Sequence, residues 1–142
     1  MKKYYYLVII VIGLALSSCL KKSVDAANTA ALIGTWHIKT DTLASWTNGV
    51  LNWKHVDDMT PTETWQFNSD GTTNVNNTNG PSTYTVSGST LSIKYLETDG
   101  SHSTDVWTIK SVSASSLILV YDVSSTSGGK NYRDYQYFGL YK

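Results

Sequence analysis

The fold class is decided by a stretch in the middle of the chain, Trp65-Gln66-Phe67-Asn68-Ser69-Asp70-Gly71-Thr72. Over residues 62–68, apolar Trp65 and Phe67 alternate with polar neighbours, which is the period of a half-buried β-strand. The Ser-Asp-Gly that follows predicts a tight hairpin turn, because glycine accepts a positive φ and the aspartate carboxylate can cap the turn. The sequence therefore predicts antiparallel β-structure here.

The same alternation recurs on both sides of this stretch. The predicted strands span residues 34–40, 62–68, 72–76, 82–87, 91–96, 105–112, 117–123 and 132–141. About eight strands can close into an up-and-down barrel, which removes unpaired edges and leaves room for one small ligand. In the last strand we expect Tyr135 and Tyr137 to face inward, and a bulge at Gly139 to return Phe138 and Leu140 to the inside. The predicted fold class is an all-β, eight-stranded antiparallel barrel.

One connection between the predicted strands, residues 41–61, is much longer than the others. Connections of this length in a compact domain are usually functional or carry structure of their own. Asn48-Gly49 is a favoured two-residue hairpin turn, with Trp46 before it and Trp53 after it. We expect a lid-like hairpin whose two tryptophans cover an open barrel end.

The composition agrees with a single β-domain, which we place at residues 32–142. The chain has 142 residues, of which 41% are hydrophobic and 15% are charged. Ser and Thr together account for 36 residues, a balance that favours strands over helices. Lys plus Arg equals Asp plus Glu at 11 each, so the basic surplus of nucleic-acid-binding proteins is absent. We expect no nucleic-acid partner.

Residues 1–18 have the pattern of a cleaved export signal. Lys2 and Lys3 precede an uncharged run over residues 4–16, and two small serines follow it. A membrane span needs about 20 apolar residues, so this run is short for one. An uncleaved N-terminal anchor is the alternative interpretation.

The end of this signal, Leu16-Ser17-Ser18-Cys19, resembles the bacterial lipobox. The resemblance implies cleavage before Cys19 and acylation of that cysteine, with acyl chains such as palmitate holding the protein on the membrane. Cys19 is the only cysteine, which excludes an intramolecular disulfide and leaves a free or intermolecularly paired thiol as the alternative. Leu20, in place of an aspartate, implies the outer membrane, and the basic residues after it favour the periplasmic face. Residues 19–31 are then the lipidated cysteine and a spacer.

Three further stretches resemble the small lipocalin-like lipoproteins of diderm bacteria. They are Gly34-Thr35-Trp36, the hairpin at residues 65–72, and Tyr84-Thr85-Val86-Ser87-Gly88 with Leu91-Ser92-Ile93. The resemblance covers residues 32–142 and implies that Gly34 and Trp36 plug one barrel end. It also implies a structural role for Phe67, Asp70 and Gly71. It carries no ligand over, because the Thr-Asp-Tyr segment of lipocalins proper is absent.

The chain lacks the patterns of the common catalytic and metal sites. His37, His55 and His102 are widely separated, without the paired spacing of a zinc site. We place His37 on the outer face of the first strand and the other two, like Asp57-Asp58, in loops. There is no Gly-x-Ser-x-Gly elbow, phosphate-binding glycine loop or pair of facing carboxylates. We expect neither an enzyme nor a bound metal or cofactor.

The aromatic residues are the informative ones, since 5 Trp and 10 Tyr stand against 2 Phe. Trp and Tyr suit half-wet cavities and interfaces. We assign Trp36, Trp65 and Tyr84 to core packing. The candidates for a ligand cavity or an interface are Trp46, Trp53, Tyr95, Tyr121, Tyr135 and Tyr137.

Two functions stay open at this stage. The first is a membrane-anchored carrier or sensor that binds a small apolar or amphipathic ligand in the barrel mouth. The second is a protein- or glycan-interaction module of the cell envelope with a filled barrel. The two differ in whether the barrel encloses an empty volume of a few hundred Å³ or more, and we expect a narrow cavity.

Overall fold

The computed structural model describes residues 28–58, 63–75 and 82–142. The predicted signal peptide, Cys19 and residues 20–27 lie outside the described residues. The described part contains a short helix at residues 28–32 and nine strands. The strands are β1 Gly34–Thr47, β2 Val50–Asp58, β3 Thr64–Phe67, β4 Thr72–Asn74, β5 Ser82–Ser87, β6 Thr90–Leu96, β7 His102–Val112, β8 Ser116–Ser127 and β9 Lys130–Tyr141. Within these ranges, no helix is long and apolar enough to span a bilayer.

Eight of the strands form a closed ring. From β3 to β9 each strand pairs with the next one, and β1 pairs with both β3 and β9, always in the antiparallel sense. β2 and β3 pair with the same edge of β1: β3 pairs with residues 34–37, and β2 pairs with residues 40–47. The predicted all-β, eight-stranded antiparallel barrel is therefore confirmed.

The long connection predicted at residues 41–61 is wrong, because β1 does not end at Thr40. The strand continues to Thr47, since β9 provides a partner for it from His37 to the end. The Asn48-Gly49 turn forms as predicted, with φ values of 50° and 79° that fit a two-residue hairpin. The hairpin is thus a wall of the sheet and not a separate lid.

The connection between the predicted strands 117–123 and 132–141 is also largely strand. β8 continues to Ser127, and a two-residue turn at Gly128-Gly129 connects it to β9. β8 and β9 are 12 residues long, whereas β5 and β6 have six and seven residues. We call the tall part of the wall the projecting sheet: it consists of β2 and of residues 40–47, 121–127 and 130–137.

The bulge predicted at Gly139 lies instead in β1. The pairing of β1 with β9 shifts between Ile38 and Thr40, which leaves Lys39 as the extra residue. β9 pairs with β8 without interruption, so strict alternation holds along it. Phe138 and Leu140 are buried in the core, and the inward orientation predicted for Tyr135 and Tyr137 is wrong.

The barrel interior is filled with side chains toward one end. The core cluster consists of Leu32, Trp36, Ile38, Trp65, Phe67, Val75, Tyr84, Leu91, Ile93, Tyr95, Trp107, Ile109, Leu117, Leu119, Phe138 and Leu140. Aromatic rings of this cluster meet at centroid distances of 5.1–6.3 Å, mostly edge to face. These contacts fix the barrel wall from which the projecting sheet extends.

Trp36, the short helix and Lys142 seal this end of the barrel, which we call the closed end. The Trp36 Nε1 group donates to the Leu32 carbonyl at 2.7 Å, and the side chain is fully buried. The ammonium of Lys142 lies 4.4 Å from the ring of Trp36 and donates to the Ile33 carbonyl at 2.7 Å. Gly34 has a φ of 129°, and a Cβ there would lie 3.1 Å from the Lys142 side chain. A glycine is therefore required beside Trp36.

The first long hairpin turns at Asp70 and Gly71. The Asp70 carboxylate accepts hydrogen bonds from Thr72 Oγ1 at 2.6 Å and from its amide at 2.9 Å, and these lower the pKa of Asp70. Gly71 has a φ of 84°. The Tyr84 hydroxyl donates to the Asn68 carbonyl at 2.8 Å, which connects the turn to β5. These residues shape the barrel and lie far from its open end.

Candidate functional site

The six candidate aromatic residues occupy three different places. The register of the projecting sheet puts two on its inner face, continuous with the barrel interior, and three on its outer face, while the sixth lies in the core. The inner face carries Trp53 and Tyr121, and the outer face carries Trp46, Tyr135 and Tyr137. Tyr95 is the residue in the core. The two tryptophans of the β1–β2 hairpin therefore do not act together.

The inner face carries an open cleft of about 190 Å³ at the barrel mouth. Leu43, Trp53, Tyr121, Asp134 and Gln136 of the inner face line it, together with Ala44 and Tyr135, whose register positions belong to the outer face. Trp53 is 51% exposed, whereas Tyr121 packs on the core with its ring 5.6 Å from that of Trp107. The cleft thus joins the filled interior to the solvent-exposed end of the sheet.

A buried carboxylate lies beside this cleft. Asp41 is only 9% exposed, and both of its oxygens accept from the Gln136 amide, at 3.2 and 3.1 Å. Burial raises the pKa of Asp41, and the nearby Asp57 and Glu63 raise it further, against the opposing effects of Gln136 and His55. Among the described residues, a neutral amide donates to this carboxylate.

Two residues of the mouth lie on β2 and not in the loop predicted for them. His55 Nε2 and Asp57 Oδ1 lie 2.9 Å apart, on the same side of β2 as Trp53. Asp58 also belongs to β2, and His102 begins β7, so the loop positions predicted for all four residues are wrong. All four predictions fail for one reason: the strands extend beyond the residues that show an alternating apolar pattern. Among the described residues, no group of His, Cys, Asp and Glu side chains is arranged to hold a metal ion.

The floor of the mouth combines buried aromatic rings with polar atoms. Tyr95 is 8% exposed, and its burial raises its pKa, with a further contribution from Asp105. The ring of Trp107 lies 5.6 Å from that of Tyr121, and its buried Nε1 group is close to the Tyr95 hydroxyl but has no acceptor at full hydrogen-bond geometry among the described residues. A buried N–H that is only weakly paired is costly, so this floor is polar and only partly satisfied.

The outer face has a different arrangement, in which a cation is already present. Trp46 and Tyr135 meet edge to face at 6.3 Å, and the Arg133 guanidinium lies 5.1 Å and 5.9 Å from the two rings. Arg133 Nε and Nη2 donate to the two Asp122 oxygens at 2.8 and 2.6 Å. This contact lowers the pKa of Asp122. The Arg133 cation thus finds both its aromatic contacts and its carboxylate partner within the chain.

Two more open clefts lie on the outer face and at the tip. One of about 230 Å³ is lined by Thr42, Ala44, Trp46, Leu51, Lys54, Tyr135 and Tyr137. The other, of about 400 Å³, is lined by Trp46, Gly49, Ser124, Ser125, Thr126, Asn131, Tyr132 and Arg133. A Cβ at Gly139 would lie 3.5 Å from the ring of Tyr137. Large exposed apolar side chains also belong to the projecting sheet, namely Val50, Leu51, Trp53, Val56 and Val123.

The sequence did not identify the polar residues of the mouth. Asp41 lies in the connection predicted at residues 41–61, and the inward phase predicted for Tyr135 and Tyr137 turns Asp134 and Gln136 outward. Reading Phe138 and Leu140 as the inward residues would have placed both on the inner face, because residues two and four positions away share it. The usable signal was therefore the register of the last strand.

The family model of the lipocalin-like domain matches residues 32–119 of the chain. The match begins at the end of the short helix and reaches into β8. No curated protein and no solved structure matches the chain significantly.

Proposed function

Because the chain belongs to the lipocalin-like domain family, we propose that its barrel mouth binds a small apolar or amphipathic ligand. Members of this family are typically binding proteins without enzymatic activity, so the proposal is binding and not catalysis. One observation supports it most. The inner cleft places the apolar surfaces of Leu43, Trp53 and Tyr121 beside a buried carboxylate, that of Asp41.

This combination suits a ligand with two chemically different ends. An apolar part can lie on Trp53 and Leu43, which leaves a polar part near Gln136 and Asp41. Binding sites for small molecules are mostly apolar, with a few placed polar groups that fix the orientation of the ligand.

We also propose that the protein is a lipoprotein anchored through Cys19, on the periplasmic face of the outer membrane. The described chain begins at the closed end, where Asn28 Nδ2 donates to the Gly88 carbonyl at 2.9 Å. From there β1 runs for 14 residues, or about 45 Å, to the tip of the projecting sheet. An anchor at residue 19 would thus leave the mouth directed away from the membrane.

Native mass spectrometry of the full chain, purified from its own membrane, tests the binding proposal. We expect a small molecule to co-purify with the protein and to be lost from Trp53→Ala. Val106→Ala is the matched control, because Val106 is as exposed as Trp53 but lies on β7, which is paired on both sides. A ligand that is absent from the wild type, or retained by Trp53→Ala, would contradict the proposal.

Metabolic labelling with a fatty-acid probe tests the anchor. Cys19→Ala should abolish the label and leave the precursor unprocessed, because no other cysteine can take the acyl chain. Equal labelling of the wild type and the variant would contradict lipidation at this residue.

A specific observation keeps an interaction module of the cell envelope as the second candidate. The outer cleft joins Trp46, Tyr135 and Tyr137 to the exposed Leu51, a surface that suits a protein or glycan partner. In-cell crosslinking distinguishes the two functions. A partner lost with Trp46→Ala and kept with Trp53→Ala would favour the outer face.

A further inference from the structure

We infer that the inner cleft takes a positively charged ligand, an organic ammonium carried on an apolar chain. The inference rests on the binding proposed for the barrel mouth and names the chemical class of the ligand.

The outer face of the same sheet is the internal reference for this inference. There, Trp46 and Tyr135 surround the Arg133 guanidinium, and Asp122 neutralises it. Aromatic faces attract cations through their ring quadrupole, and a carboxylate beside them adds a charge-assisted hydrogen bond. On the outer face, the aromatic rings of Trp46 and Tyr135 therefore already have a cation in place.

The inner face has the aromatic rings and the carboxylates but lacks the cation. The pairing register places Asp41, Asp57 and Asp134 on this face, around Trp53 and Tyr121. The cations of the projecting sheet lie elsewhere: Lys54 and Arg133 belong to the outer face, and Lys130 flanks the turn at the tip. Among the described residues of the inner face, the one basic group near the carboxylates is His55, which pairs with Asp57.

The buried carboxylate of Asp41 provides a binding position for the cation. A buried charge is costly unless it is paired, and Asp41 has a neutral amide as its recorded partner. A ligand ammonium would supply the missing charge, and an anionic head group would be repelled by three carboxylates.

A second observation, independent of charge, also marks the mouth as incomplete. Trp107 is 4% exposed, and its Nε1 group has the Tyr95 hydroxyl beside it but no acceptor at full hydrogen-bond geometry within the described ranges. Its ring lies 5.6 Å from that of Tyr121, which lines the cleft. An oxygen atom on the ligand, or a water molecule that the ligand holds, would satisfy this donor.

Three probes with the same six-carbon tail test the charge of the ligand. Hexyltrimethylammonium, 1-hexanol and hexanoate are titrated into the full chain in nanodiscs of zwitterionic lipid, with empty nanodiscs as the blank. We expect the cation to bind about tenfold more tightly than the alcohol, from aromatic and carboxylate contacts in a half-exposed site. Hexanoate should bind most weakly.

Two carboxylate variants locate the effect. Asp134→Asn should weaken binding of hexyltrimethylammonium roughly fivefold, the size expected for one close charge in a partly exposed site. Asp58→Asn is the matched control, because Asp58 is exposed on the opposite face of β2, and it should leave the affinity unchanged. Equal losses in both variants would mean that nonspecific attraction holds the cation, which overturns the inference.

The outcomes for the inference and for the proposed function are separable. If hexanol binds as tightly as the cation, or if the molecule that co-purifies is neutral or anionic, the mouth binds ligands but the cation inference is wrong. If no probe binds and no molecule co-purifies, both are wrong.

Discussion

The closed end and the open end of the barrel use the same kind of residue in opposite ways. At the closed end, Trp36 is fully buried, its N–H donates to Leu32, and the Lys142 ammonium covers its ring. At the open end, Trp53 is half exposed, and the carboxylate nearby, that of Asp41, is buried against a neutral amide. The closed end satisfies its own groups, whereas the open end does not.

This difference indicates that the closed end contributes to stability, whereas the open end is available for binding. Buried polar groups without full partners reduce stability, and proteins tolerate them where a ligand or partner completes them. The two ends should consequently respond differently to substitution, in stability at one end and in binding at the other.

The largest expected effect is at the closed end. Trp36→Ala should reduce the free energy of unfolding by about 3–5 kcal/mol, as for other deletions of core aromatic residues. Lys39→Ala, three residues away at an exposed bulge, should stay within about 0.5 kcal/mol. Urea unfolding followed by circular dichroism gives both values. Similar losses for the two variants would remove the contrast between the core face and the solvent face of β1.

A smaller loss is expected where one hydrogen bond ties the first hairpin to β5. Tyr84→Phe keeps the buried ring and removes the hydroxyl that donates to Asn68, which should cost about 1 kcal/mol. Tyr141→Phe, on an exposed tyrosine, is the control and should stay within about 0.5 kcal/mol. An unchanged midpoint for Tyr84→Phe would mean that this bond does not stabilise the closed end.

A pH series tests whether Asp41 costs stability at neutral pH. Its pKa in the folded protein lies above the ordinary 3.8, so the folded state binds the proton at a higher pH than the unfolded chain does. Stability relative to Asp41→Asn should therefore increase as the pH falls through the folded pKa toward 3.8.

Asp122 provides the control of opposite sign for this series. Arg133 lowers the pKa of Asp122, so its contribution is present above 3.8 and is lost as the pH falls through the folded value. Urea unfolding between pH 7 and pH 3, with Asp41→Asn and Asp122→Asn beside the wild type, should show opposite trends. Parallel trends would contradict the difference between the two faces.

The smallest effect on stability is expected for Asp134→Asn. Its side chain is exposed, so the thermal unfolding free energy should change by less than about 0.5 kcal/mol. The same variant should lose affinity for hexyltrimethylammonium, which makes it the sharpest test of binding without a stability cost. A large loss of stability would mean that Asp134 supports the barrel wall and does not belong to the proposed binding surface.

The barrel was predictable because several signals agree along its lower wall. In β1 and β3, Trp36, Ile38, Trp65 and Phe67 alternate with polar residues, and that face is buried. The Asn48-Gly49 turn was predictable for a different reason. Both residues have positive φ, which few other pairs adopt as readily.

The upper wall was not predictable because its pattern is ambiguous. β9 offers Tyr135 and Tyr137 on one face and Phe138 and Leu140 on the other, so alternation alone cannot decide which pair is buried. The pairing with β8 decides it. The extra residue at Lys39 then reverses the phase of the upper half of β1, and this put Asp41 inside and Trp46 outside. Both effects arise at residues other than those whose orientation they change.

The position of Lys142 has a consequence for the order in which the chain can fold. Lys142 covers Trp36 at the closed end, and β1 pairs with β9 across about a hundred residues of sequence. Such distant contacts form slowly, because the loop between them must be closed first. One edge of β1 therefore stays unpaired until β9 has formed, and the seam between these two strands is the last part of the ring to close.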